Sequence, residues 1–275
     1  MSTNKLILIT LSAASAIAIG YAIVTNYLVK GAGPDQPVLT SGVESRAKTQ
    51  DTLQRFRLFT RVTETTWPKL QEISREQDVF WGRDASVPIT QRAFTFSNLG
   101  VLTSRFTPEE AKKYSAINLD GEYSDFRKAY DEAVAIRSFV DAENTKRIKE
   151  GNLEPLAFVA FYHLNIINAY PDIVRYPDIV LIGKTNWDES TVKPEAQRYV
   201  NLIKNANRTP GILLGAYTKD AQGKELKSAQ SLVKTMQVVM DPTNGLGVNV
   251  IGYYYDKDDA AILIEALTTL RHWTL

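Results

Sequence analysis

"DIVLIGKT", residues 178–185, is a short apolar run in which Ile179, Val180 and Ile182 are β-branched, closed by Gly183 and Lys184. It carries no polar alternation, so it reads as a strand buried on both faces, the kind found inside parallel sheets. "GILLGAY" (211–217) and "VNVIGYYYD" (248–256) have the same character. Between the first two, Ala196, Tyr199, Val200 and Ile203 recur at helical spacing after Pro194. Leu226, Ala229, Val233, Met236 and Met240 do so after the second, and Leu263, Ala266, Leu267 and Leu270 after the third. Strand and helix thus alternate three times, which predicts parallel βαβ units with right-handed crossovers.

Working toward the N-terminus, "RLFTRV" (57–62), "DVFWG" (78–82), "QRAFTFS" (91–97), "YSAINLDGEY" (114–123) and "PLAFVAFY" (155–162) are further strands, making eight in all. A long helix from about Asp125 to Lys149 separates the fourth from the fifth, with Ser124 or Asp125 as its N-cap. Eight strands in one α/β domain predict a (β/α)8 TIM-type barrel; a doubly wound sheet is the alternative. The first two strands carry the thinnest signal, and between the fifth and sixth only "HLNIINAYPDIVRYP" can serve as the connecting helix. The six-residue echo "YPDIVR" and "YPDIVL" (170–175, 176–181) is too short for a solenoid repeat.

Composition excludes more than it names. The chain has 275 residues, 44% hydrophobic and 23% charged, with a formal net charge of +1. Its 32 basic and 31 acidic residues are dispersed, so no nucleic-acid surface is expected. Cysteine is absent and His163 and His272 are the only histidines, which rules out thiolate chemistry, disulfides and His- or Cys-rich metal centres. Gly245-x-Gly247 precedes a strand, the wrong order for a dinucleotide turn, and there is no phosphate loop or Gly-x-Ser-x-Gly elbow. No cofactor and no metal is expected. Asp256, Asp258 and Asp259 read as a helix cap and His272 as surface.

Leu6 to Val29 is a run of 24 uncharged residues between Lys5 and Lys30, long enough to span a membrane. Residues 1–30 are read as an uncleaved signal anchor, 31–42 ("GAGPDQPVLTSG") as a linker and 43–275 as the barrel domain. A cleaved signal peptide ending at Ala14-Ser15-Ala16 is the competing reading, but it would leave Ile17 to Val24 as an exposed apolar tail. The expectation is a single-pass membrane protein whose soluble domain is extracytoplasmic, periplasmic or extracellular. Ala13, Ala14, Ala16 and Gly20 offer small residues for packing against partner membrane helices.

The chemistry is expected in "YSAINLDGEY". On a strand, Asn118, Asp120 and Glu122 share one face while Ile117 and Leu119 share the other. In a barrel the inward residues at a strand's C-terminal end reach the mouth, where sites are built. Two carboxylates at i and i+2 would raise one of their pKa values and hold a proton beside an ionised neighbour. Glycosidic cleavage needs that arrangement. The bland alternative is a hairpin turned at Asp120-Gly121.

The residues Ile117, Asn118, Leu119, Asp120, Gly121 and Glu122 resemble the last six places of the motif Asp-Gly-x-Asp-x-Asp-x-Glu on the fourth strand of family 18 glycoside hydrolases, the chitinases and endo-N-acetylglucosaminidases. Ser115 and Ala116 replace the opening Asp-Gly; Gly183-Lys184-Thr185 stands where the family presents Met-x-Tyr-Asp; and Tyr253, Tyr254 and Tyr255 stand where it has a tryptophan. The resemblance implies that Glu122 protonates the leaving oxygen, that Asp120 orients an acetamido group acting as nucleophile, and that Asn118 supports them. It implies a polysaccharide or glycan substrate containing N-acetylhexosamine. Tyr162 and His163, ending the fifth strand, and Trp187, Tyr217 and Tyr255, following strand ends, are candidate substrate-binding residues. A barrel that has lost catalysis and serves as a binding or scaffolding subunit of an envelope assembly is the rival expectation.

Overall fold

Among the described residues eight parallel strands pair in chain order and the last closes on the first: β1 (Arg57–Val62), β2 (Val79–Gly82), β3 (Arg92–Phe96), β4 (Ala116–Leu119), β5 (Ala157–Tyr162), β6 (Ile179–Lys184), β7 (Thr209–Gly215) and β8 (Val250–Tyr254). The computed structural model describes residues 56–82, 86–121, 123–151, 154–184, 186–215, 228–254 and 260–271. The anchor, the linker and the first residues of the domain as read from sequence lie outside them. Among the described residues no helix is long and apolar enough to cross a membrane.

The closed ring excludes the doubly wound alternative. The hairpin is excluded too, because β4 pairs in parallel with both β3 and β5 and the chain then enters a helix instead of returning as a strand. Around the strands run α1 (Trp67–Ile73), α2 (Leu99–Arg105), α3 (Pro108–Ala111), α4 (Phe126–Glu150), α5 (Leu164–Ala169), α6 (Val192–Asn205), α7 (Ala229–Met240) and α8 (Ala260–Arg271).

Alternation along each strand makes two cores. Outward residues such as Leu58, Phe80, Ile117, Phe158, Val180 and Ile212 pack against the helices. Inward residues Phe59, Val79, Trp81, Ala93, Ala116, Val159, Ile179, Leu181 and Val250 fill the barrel. The Phe59 and Trp81 rings lie 4.7 Å apart, tilted by 32°, and the residues registered beside them on the neighbouring strands are small, Gly252 on β8 and Ala93 on β3. A Cβ added at Gly183 would lie 2.1 Å from the carbonyl oxygen of Leu213 on the neighbouring strand. Gly183→Ala is therefore expected to cost about 1–3 kcal/mol through forced backbone shifts. A lower urea midpoint with an unchanged slope is the result to look for.

The long helix α4 shows how the sequence sets its own limits. Asp125 caps it by accepting from the N–H groups of Arg127 and Lys128, and Gly151 ends it in the left-handed conformation at φ 68°. Its buried stripe is Ala129, Ala133, Ile136 and Val140, spaced four, three and four. An Arg127–Asp131 pair lies on its exposed face, while the largely buried Arg137 reaches both Asp141 and Asp178. Near its end, the buried Arg147 donates to the carbonyls of Ala111, Tyr114 and Glu154, gathering the chain ends beneath β4 and β5.

Between β5 and β6 the connection is α5 followed by a 3-10 turn at Pro171–Arg175. The echoed hexapeptides take different structures: the first forms that turn, the second enters β6. A repeat of another kind does exist. Asp78, just before β2, accepts from the backbone N–H of Leu58 on β1 at 2.8 Å; Asp178, just before β6, accepts from that of Phe158 on β5 at 2.8 Å. The registers Phe59↔Val79 and Val159↔Ile179 match as well. Each aspartate is met by arginine, Arg271 in the first case and Arg137 and Arg208 in the second. The first and fifth strands are thus locked to their successors by the same device.

Candidate functional site

The strands' C-terminal ends open onto a cavity of about 910 Å3, lined by the last residues of β5 to β7 and by the segments that follow β3 to β6. From β3 come Ser97 and Asn98; from β4 and the start of α4, Asp120, Gly121, Tyr123 and Lys128; from β5, Phe161 and His163; from β6, Gly183, Lys184 and Asn186; from β7, Leu213 and Gly215. Gly183 and Gly215 keep the space open by having no side chain, while Phe161 and Leu213 give it an apolar wall.

β4 delivers its polar residues as the alternation predicts. Ile117 and Leu119 are buried against the helices, and Asp120 is exposed in the cavity. Asn118 lies one step deeper, only 3% exposed, with its Nδ2 3.5 Å from Thr95 Oγ1 and its Oδ1 without a hydrogen-bond partner among the described residues. Glu122, Tyr217 and Tyr255 lie outside the described residues.

His163 lines the cavity and is exposed, its ring meeting the edge of Phe161 at 4.9 Å. Two expectations are corrected. Tyr162 points the other way, fully buried between strands and helices, because it is one residue out of phase with Phe161 and His163. Trp187 is also fully buried, and its indole N–H donates to Glu195 at 2.9 Å, so its ring faces are packed and offer no platform to a sugar.

The electrostatics around the mouth follow from these contacts. Lys184 pairs with Glu195 at 2.6 Å. The hydrogen bond from Lys184, with that from Trp187, holds the Glu195 carboxyl below its usual range. Burial, reinforced by its bond to Glu132, pushes the Tyr123 phenol far up, so this residue acts as a neutral donor. In the loop after β6, Asp188 accepts from the hydroxyls and N–H groups of Ser190 and Thr191. These bonds, the Ser190 hydroxyl first, pull its pKa down to about 2. Because the folded value is depressed, the loop's contribution to stability is present above the ordinary aspartate range and is lost as pH falls through about 2. A carboxyl-carbon NMR titration of Asp188 with a midpoint near the ordinary value would contradict this.

Sequence reasoning did not find Ser97, Asn98, Tyr123, Lys128, Phe161 or Asn186. Phe161 carried a signal, since it sits two residues before His163 on the same strand face. The others are loop and helix-start residues with no periodicity. Among the described residues no three His, Asp or Glu side chains come together to hold a metal ion. The cavity offers a carboxylate, an imidazole, two ammonium groups, amides and two hydroxyls around an apolar wall, a lining with polar groups enough to orient a small-molecule ligand.

Fold and site together define a (β/α)8 barrel protein with a polar cavity at the C-terminal mouth. No protein-family model matches the chain, and no curated protein matches it. Among solved structures the chain is similar to a citrate lyase from Burkholderia xenovorans LB400, with a TM-score of 0.45 and 9% identity over 78% of this chain and 77% of that one. It is similar to phosphoribosyl anthranilate isomerase from Thermus thermophilus, with a TM-score of 0.38 and 12% identity over 82% and 92%. An aldolase from Escherichia coli K12 gives a TM-score of 0.40 and 11% identity over 85% and 93%. Likeness at this level concerns the barrel and carries nothing about chemistry.

Proposed function

We propose that the protein is a membrane-anchored glycoside hydrolase of the family 18 type, acting on a glycan that contains N-acetylhexosamine. The observation that carries the reading is Asp120: one member of an acidic pair spaced i and i+2, it lines an open cavity at the C-terminal end of β4. In this reading Glu122 donates its proton to the leaving glycosidic oxygen. The carbonyl oxygen of the substrate's acetamido group attacks the anomeric carbon as that bond breaks, and water then opens the cyclic intermediate, returning the proton to Glu122. Asp120 holds the acetamido N–H, Asn118 supports Asp120 from below, and His163 contacts the sugar. The anchor is residues 6–29, with the barrel extracytoplasmic.

A second reading has its own support. Lys184 is tied to Glu195 where the resemblance leads one to expect a tyrosine–aspartate pair, and Trp187, expected from its place after a strand end to be a stacking platform, is turned into the core. On that side the cavity suits a binding or scaffolding barrel of a cell-envelope complex. The two are separated by assaying the full chain on N-acetylglucosamine oligosaccharides beside Glu122→Gln. Turnover by the first and not the second supports the hydrolase. Equal rates remove it, and binding without turnover by either protein favours the scaffold.

A further inference from the structure

We infer that Glu132, a helix residue outside the cavity lining, is a positioning residue that holds the acid-bearing loop after β4 in its working geometry; the inference rests on the hydrolase reading above. Glu132 stands on the second turn of α4, its side chain 14% exposed. One oxygen, Oε2, accepts from the Tyr123 hydroxyl at 2.7 Å and from the backbone N–H of Leu99 at 3.0 Å. The other, Oε1, lies 3.9 Å from the Lys128 ammonium.

Those two donors stand after different strands, Leu99 at the start of α2 behind the β3 loop and Tyr123 in the loop after β4. Leu99 follows Ser97 and Asn98, which line the cavity after β3, and Tyr123 follows Asp120 and Gly121, which line it after β4. The loops also touch directly: a Cβ on Gly121 would lie 2.4 Å from the Tyr123 ring and 2.7 Å from the Ser97 carbonyl oxygen. The Tyr123 ring therefore lies close against Gly121, and its hydroxyl is moored to Glu132. The mooring point is firm, because α4 is capped at both ends and buries Ala129, Ala133 and Ile136 on the barrel. One carboxylate thus links the stiff helix to both loops that form this wall. Asp120 and Glu122 sit within three residues of the moored tyrosine, and a catalytic constellation tolerates displacements of only about half an ångström.

The test uses the full chain with Glu132→Ala, Glu132→Gln and Tyr123→Phe. Hydrogen exchange is read for residues 97–101 and 119–126 against the β5 strand, and kcat and KM are read on N-acetylglucosamine oligosaccharides. Loss of hydrogen bonds to a charged acceptor predicts about ten-fold or greater faster exchange in the two loops for Glu132→Ala, with β5 unchanged. It also predicts about ten-fold lower kcat with KM moved much less. Glu132→Gln, which keeps an acceptor oxygen, recovers most of both, and Tyr123→Phe reproduces the effect on 119–126 alone. Exchange left at the wild-type level, exchange raised evenly over the whole barrel, or loosened loops with unchanged kcat each overturn the inference. An inactive wild-type chain sinks the hydrolase reading instead, and exchange at the two loops then still decides for or against the mooring.

Discussion

Asp78→Ala is expected to destabilise the barrel by about 3–5 kcal/mol, the range for stranding one partner of a buried charge pair. Asp78 is fully buried and is met by Arg271, whose Nη2 donates to both carboxylate oxygens at 2.8 and 2.7 Å, by the Leu58 N–H and by the Arg75 N–H at 2.8 Å. Burial pulls the Arg271 guanidinium pKa down and the charge of Asp78 pulls it back up, so without the aspartate the cation has lost its compensation. Arg271 also lies over the Phe56 ring and donates to its carbonyl, which leaves it no easy route to water. The pair binds α8, the last helix, to the first two strands, and so it closes the ring where chain continuity cannot. Against a total stability of about 5–15 kcal/mol for a domain, the loss is large enough to be read directly in urea at 25 °C. Asp178→Ala is the internal control. Asp178 is 36% exposed, and Arg137 keeps Asp141 at 2.6 Å when it goes, so the same substitution at the matching point of the other half should cost far less. Equal losses at the two positions would show that burial is not what sets the scale.

The eight strands were legible because each is a short β-branched or aromatic run between breakers, and because the helical spacings between the last three bury what they promised. Ala196, Tyr199, Val200 and Ile203 all lie inside α6, and Leu263, Ala266, Leu267 and Leu270 inside α8. In α7, by contrast, Val233 is half-buried and the buried stripe runs through Leu232, Met236, Val239 and Met240, since two adjacent apolar residues leave the phase of a helix open. The β5–β6 connection was illegible because Pro171 and Pro177 break a helical pattern without saying what replaces it. At the site, the alternation of Asn118 and Asp120 was readable because aliphatic residues flank them. Tyr162 and His163 differ by one residue, and a one-residue phase decides between core and cavity. Trp187 followed a strand end in sequence, yet its indole N–H finds Glu195 eight residues on, a pairing no local pattern announces. Glu132 was invisible for the same reason, since its partners are 9 and 33 residues away.

Glu122→Gln is expected to lower kcat on N-acetylglucosamine oligosaccharides by about 10²–10⁴-fold, the usual contribution of a positioned general acid. Glutamine is nearly isosteric, so KM should move little and the fold should be unchanged. What makes the expectation specific is its dependence on the leaving group. A sugar hydroxyl leaves only if it is protonated as the bond breaks, whereas a nitrophenolate leaves without help. The deficit of Glu122→Gln should therefore shrink sharply on a nitrophenyl glycoside. Asp120→Asn removes a different component. In the proposed mechanism its carboxylate holds the acetamido group that attacks the anomeric carbon, a step common to both substrates, so its deficit should be similar on the two. The contrast turns on charge and proton position at Glu122 and on orientation at Asp120, which lines the cavity. If Glu122→Gln loses as much on the nitrophenyl substrate as on the oligosaccharide, Glu122 is not donating the proton. In that event Glu122 would serve turnover by orienting bound sugar, and another group would have to protonate the leaving oxygen.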